Sequence, residues 1–160
     1  ATGGTLDALF NNGAFACPGA VEDLPSGALR SIFQANLFGW HELTRQVIPV
    51  MRAQGSGRIV QCSSVLGLVT LRWRGAYNAT KFALEGLSDT LRIEMRDTGI
   101  DVILIEPGPV TSKIRQNSIP CPADPCTRLD RLQRLRRGKK SLSLFIHAPL
   151  HGDERRFEGP

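Results

Sequence analysis

The fold class that this sequence predicts is α/β, built on a parallel sheet, and three observations predict it. Short apolar runs that read as strands alternate with longer runs at helical spacing, in the order strand, helix, strand, helix, strand. Each strand-like run ends in a polar or turn-forming cluster: Asn11-Asn12, Ser63-Ser64 and the PGPVT turn of residues 107–111. The last run, DVILIEPG, is nearly continuous in apolar residues, which predicts burial on both faces of a sheet. Ligands of parallel α/β sheets bind beyond the carboxyl ends of strands, so these three clusters mark where a site is expected.

Taken in order, LDALFNNGA reads as a short buried strand whose apolar residues give way to a turn at Asn-Asn-Gly. Residues from about Ser26 to Arg52 read as one long helix, because Ala28, Ile32, Ala35, Leu43, Val47 and Val50 return at near-helical spacing. Pro49 is expected to kink or terminate its last part, and the run Gly-Ser-Gly to end it. RIVQCSS is the second strand, with its serines at the carboxyl edge. From about Tyr77 to Arg96 the helical period recurs in Phe82, Leu84, Leu87, Leu91 and Met95, with Gly99 as the stop. DVILIEPG completes the set as the third strand.

Composition bounds the function. The chain has 160 residues, 41% hydrophobic and 22% charged, which fits a globular protein rather than a disordered one. No run approaches the ~20 apolar residues of a membrane span. The opening ATGGTLDALF has neither the cationic nor the apolar region of a secretory leader. Four cysteines, Cys17, Cys62, Cys121 and Cys126, are too few for a disulfide scaffold, and a reducing, cytoplasmic setting is expected. The net charge of +5 suggests a polyanion partner only if it sits on the folded part. It does not: residues 1–118 hold 11 basic and 10 acidic residues, whereas residues 119–160 hold 9 and 5. Residues 1–118 are therefore read as the domain and 119–160 as an atypical, poorly ordered Pro/Arg-rich tail.

The chemistry centres on Tyr77, the only tyrosine, and Lys81 four residues later. On a helix this spacing puts both side chains on one face. A phenol with an ordinary pKa near 10 is a poor acid or base at neutral pH, and an ammonium beside it favours the phenolate. Such a pair can pass a proton to or from a carbonyl or alcohol oxygen. The same two residues also occur together by chance on exposed helices. Ser64, thirteen residues before Tyr77, sits at a strand end, where its hydroxyl can bond the same substrate oxygen or simply end the strand. Asn36, in the apolar stretch ANLFGW, must find hydrogen-bond partners, and beside Gly39 it invites a local distortion of the helix.

Together, NNGA (11–14), Asn36 in QANLFG, CSS ending at Ser64, YNATK (77–81) and PGPVT (107–111) resemble the short-chain dehydrogenase/reductase family in order and spacing. GRIVQCSSVLGLV and LIEPGPV resemble its aldehyde-, retinoid- and steroid-directed members in particular. The resemblance covers about residues 5–115. The fold it implies is the C-terminal part of a Rossmann-like doubly wound parallel sheet. The reaction it implies is hydride transfer between NAD or NADP and a small carbonyl/alcohol substrate. Tyr77 is then the general acid/base. Lys81 lowers the tyrosine pKa and binds the nicotinamide ribose, Ser64 polarises the carbonyl, and Asn36 holds a water behind Lys81. Asn11, Gly13 and Ala14 bracket the cofactor and steady the sheet. Pro107, Gly108, Val110 and Thr111 lie at its nicotinamide end. The resemblance also implies a homo-oligomer for an intact relative.

Three departures qualify it. The turn reads Asn-Asn-Gly-Ala where the family has Asn-Asn-Ala-Gly, which keeps both residues small. The glycine-rich turn that would cradle the cofactor diphosphate, upstream of Asn11, is missing, so the chain reads as a fragment that is inactive alone. After about Pro120 the text no longer resembles the family, and a shifted reading frame is one explanation. Cys121 and Cys126, with Asp124 between them and His147 and His151 downstream, lack zinc-site spacing, so no metal is expected. The basic run Arg131–Lys140 reads as solvated charge rather than a nucleic-acid site. His41, beside Trp40, reads as packing or surface. A non-catalytic remnant or interaction fragment with a basic tail is the rival reading.

Overall fold

A computed structural model describes residues 4–111 together with Ile114 and Ser118. The expected tail, with Cys121, Cys126 and the basic run, lies outside the described residues. Three parallel strands form one sheet in the order β1 (Ala8–Asn11), β2 (Gly57–Cys62) and β3 (Ile100–Ile105). Leu9 pairs with Ile59, and Ile59 with Val102; two residues on, Asn11 pairs with Gln61 and Gln61 with Leu104. Helices α2 (Gly39–Gln54) and α3 (Gly75–Glu94) connect the strands, as the alternating pattern predicted.

The period-2 alternation of a strand decides which residues meet the helices. Ile59, Ile100 and Val102 are buried against Met51 of α2 and Met95 just beyond α3, with Leu9, Val47, Ile48 and Leu91 around them. The opposite face carries Phe10, Ile103 and Ile105, all exposed. Two expectations are therefore corrected. β1 is not buried through its length, and the apolar run of β3 is covered on one face only. Among the described residues α2 and α3 both lie on the same side of the sheet, so nothing here packs on the other side.

The long helix expected over 26–52 is three segments: α1 (Ser26–Phe33), a π-helical turn (Gln34–Phe38) and α2. In the π turn the Gly39 N–H reaches back to Gln34 O, five residues earlier. A β-carbon at residue 39 would stand 3.3 Å from that same oxygen, which suits glycine there. Pro49 does not terminate α2, which runs on to Gln54. Val47, Ile48 and Met51 pack on the sheet on either side of the proline, and that burial outweighs the one backbone bond it removes. Gly55 ends the helix in the left-handed conformation at φ 75°, the usual C-terminal stop. On α3, Leu84 and Leu91 face the core as expected, whereas Phe82 and Leu87 are exposed. No helix among the described residues is long and apolar enough to cross a membrane.

Candidate active site

The carboxyl ends of β1 and β2 and the first turns of α3 meet at one edge of the sheet. Asn11, the last residue of β1, is buried; its Nδ2 donates to Gln61 Oε1 at 3.0 Å and Thr44 Oγ1 at 3.2 Å. One amide thus joins β1, β2 and α2, and the chain leaves the sheet at a fixed point. Gly13 follows in the exposed turn, and its carbonyl accepts from Trp40 Nε1 at 2.9 Å. Ala14, half-buried, packs beside the cluster of Leu37, Trp40 and Leu84.

Asn36 lies in the π turn and is fully buried. Its Oδ1 accepts from the Phe15 N–H at 3.1 Å, and its Nδ2 donates to Phe15 O at 2.9 Å and to Thr80 Oγ1 at 3.4 Å. The amide is therefore committed to clamping the Asn11–Phe15 turn against α3, next to Lys81. The distortion that the sequence led us to expect at Asn36 is the π turn itself, a feature frequent at functional sites.

Ser64 follows β2 in an extended conformation, and its hydroxyl accepts from the Leu66 N–H at 3.1 Å, which caps the short 3-10 turn Val65–Gly67. A β-carbon at Gly67 would stand 2.8 Å from both Glu85 Oε1 and Ser63 Oγ, so glycine lets this turn settle on α3. Asn78 then ties it down, donating to Leu66 O and Val69 O, each at 2.7 Å. Pro107 accepts from the Val65 N–H at 3.2 Å, which brings the chain after β3 alongside Ser64. Gly108 lies beside Val65, whereas Val110 and Thr111 are exposed.

Tyr77 and Lys81 share the inward face of α3, and both are buried. Burial raises the Tyr77 phenol above its ordinary pKa; the Ser64 hydroxyl and the Arg74 guanidinium pull it the other way, and the Cys62 thiol adds to the rise. Ser64 and Arg74 thus both favour the phenolate against the effect of burial. Lys81 Nζ donates to Cys62 O at 2.7 Å and lies over the Trp40 ring, 4.4 Å from its centroid, against 5.6 Å for the Tyr77 ring. Burial also lowers the Lys81 pKa to about 8, while Cys62 and Glu85 work to raise it.

Sequence reasoning missed Trp40, Thr80 and the Cys62 carbonyl. Trp40 was accessible in principle, since it stands four residues after Asn36 and so on the same helical face. An open groove between the 20–22 loop and residues 70–73, lined by Val21, Leu71, Trp73, Asn78 and Phe82, does not include Tyr77 or Lys81.

A hydroxyl, a phenol and a buried ammonium thus converge where strands of a parallel α/β sheet end. This combination marks a parallel α/β protein with a tyrosine–lysine pair at its strand ends. The family profile for short chain dehydrogenase matches residues 1–121, and the chain belongs to that family. It is 45% identical over 116 residues to the uncharacterized oxidoreductase YbbO of Escherichia coli (strain K12), covering 72% of this chain and 43% of that protein. It is 38% identical over 110 residues to retinol dehydrogenase 8 of Homo sapiens, covering 69% of this chain and 35% of that one. Among solved structures, a short-chain dehydrogenase from Streptomyces avermitilis superposes with a TM-score of 0.68 at 32% identity, over 81% of this chain and 52% of that one. ElxO with NADP bound superposes with a TM-score of 0.68 at 25% identity, over 71% and 47%. The chain spans less than half the length of these curated relatives.

Proposed function

We propose that this chain carries the catalytic side of an NAD- or NADP-dependent oxidoreductase that interconverts a carbonyl and an alcohol. The observation that supports it most is the convergence of Ser64, Tyr77 and Lys81 where β2 meets α3, in a member of the short-chain dehydrogenase family. The donor set suits the nicotinamide-ribose end of a dinucleotide: two hydroxyls that can share one substrate oxygen, and an ammonium that can reach a ribose hydroxyl. No glycine-rich strand-to-helix turn occurs among the described residues, so they offer no cradle for the diphosphate. A bound nicotinamide supplies or accepts the hydride.

In the reducing direction Ser64 donates a hydrogen bond to the substrate carbonyl and holds it against Tyr77. Tyr77 donates its proton to the oxygen as negative charge develops there. Its raised pKa keeps the phenol protonated and ready as an acid through neutral pH. Lys81 favours the phenolate left behind, and proton return regenerates the phenol. Asn36 holds the Asn11–Phe15 turn on Thr80, next to Lys81. In alcohol oxidation the roles reverse.

Turnover by the longer protein that carries these residues tests the reading. With NADPH or NADH and an aldehyde or ketone panel, Tyr77→Phe is expected to lower kcat by roughly 10²–10⁴-fold, the usual worth of a positioned acid. Unchanged turnover in that variant overturns the assignment. The 160-residue chain titrated with NADPH is expected to show weak binding or none, by nicotinamide fluorescence. Self-association of two copies through the exposed Leu43 and Val50 of α2 and Phe82 and Leu87 of α3 belongs to the same proposal. A monomeric mass for the active protein by light scattering removes that part.

A further inference from the structure

Lys81 is the least exposed charged side chain described, at 1%, and no salt bridge reaches it among the described residues. An ammonium has three N–H donors. One is directed at Cys62 O, and the face of the Trp40 ring, 4.4 Å away, takes a second. One donor is left for a ligand. The ring is itself immobilised, because Trp40 is buried between Leu37 and Leu84 and its Nε1 donates to Gly13 O. A single side chain therefore touches both the Lys81 ammonium and the turn that follows β1.

We propose that Trp40 is a positioning residue for the reaction: its indole face seats the Lys81 ammonium, and its N–H ties that seat to the Asn11–Ala14 turn. The proposal rests on Lys81 being part of the reactive site. A cation over an indole face is stabilised most when both are withheld from water, as here. Trp40 thus offsets part of the burial that disfavours the ammonium, and it aims the remaining donor. Among the described residues the titratable groups facing Lys81 are Tyr77 and Glu85 from α3 and the Cys62 thiol from β2. The π turn brings none, and His41 and Glu42 of α2 are exposed.

Fluorescence of the 160-residue chain tests the contact without any turnover. In a Trp73→Phe, Cys62→Ala background Trp40 is the sole tryptophan, and a thiol is removed as another source of titration. Its emission is expected to show a step with a midpoint near pH 8, and Lys81→Met in the same background is expected to abolish it. No step between pH 6 and 10, or the same step in Lys81→Met, overturns the contact. In the active longer protein, Trp40→Leu is expected to move the alkaline limb of the pH–rate profile down by about one pH unit. Trp40→Phe, which keeps a ring face, is expected to restore part of that shift. An unmoved limb in Trp40→Leu, with the fold intact by circular dichroism, overturns the positioning role even where turnover confirms Tyr77 as the acid.

Discussion

Lys81 shows how the site and the stability of the fold pull against each other. Its pKa in the folded chain is about 8, against an ordinary 10.5, so between these values the unfolded chain binds the extra proton. Stability therefore rises with pH from about 8 to 10.5, and below 8 the full cost is present. Lys81→Met removes the buried charge but leaves the Cys62 carbonyl without its donor, so a net gain of about 2 kcal/mol at pH 7 is expected by urea denaturation. That variant should also lose the rise in stability above pH 8. A variant less stable than the parent at pH 7 would show that the ammonium is solvated. The Tyr77–Lys81 pair itself was legible from spacing alone, because four residues is one helical turn. Where the ammonium points was not legible. It depends on a carbonyl nineteen residues away and a ring from another helix, and no local pattern encodes either.

Strands and helices were legible to the extent that their signals are local. The apolar runs located β1, β2 and β3, and Gly55 marked the end of α2 before β2; Gly99, expected as the stop of α3, instead lies five residues beyond its end at Glu94 and leads into β3. Both glycines have φ 75°, and a β-carbon at Gly99 would collide with the Gly55 backbone. Gly99→Ala is therefore expected to cost at least about 2 kcal/mol, from left-handed strain plus the clash, read from the denaturation midpoint. A cost below 0.5 kcal/mol, on the order of a surface change, would place the two turns further apart. The break of the long helix at the π turn was only half legible. Asn36 and Gly39 signalled a distortion, but its form follows from the Phe15 backbone and Thr80 meeting the amide. Pro49 does not stop α2, because a local breaker yields to sheet packing on both sides of it.

One face of the sheet supports α2 and α3, and the other displays Phe10, Ile103 and Ile105. The 160-residue chain is expected to bind an apolar dye such as ANS through that face. Ile103→Lys is expected to reduce the signal while costing no more than about 1 kcal/mol, the span of strand propensities, since the residue faces outward. A loss of several kcal/mol would mean that the face is covered. The alternation of apolar runs was enough to indicate a parallel α/β architecture, since each run's period depends only on its own residues. The five motifs in register were enough to point to the family and to Ser64, Tyr77 and Lys81. Which faces are buried, what holds Asn11 and Asn36, and that Trp40 rather than a carboxylate meets the Lys81 ammonium were decided by packing between segments distant in the chain. Those contacts follow from how α2 and α3 lie against β1 and β2, and a one-dimensional pattern does not carry that arrangement.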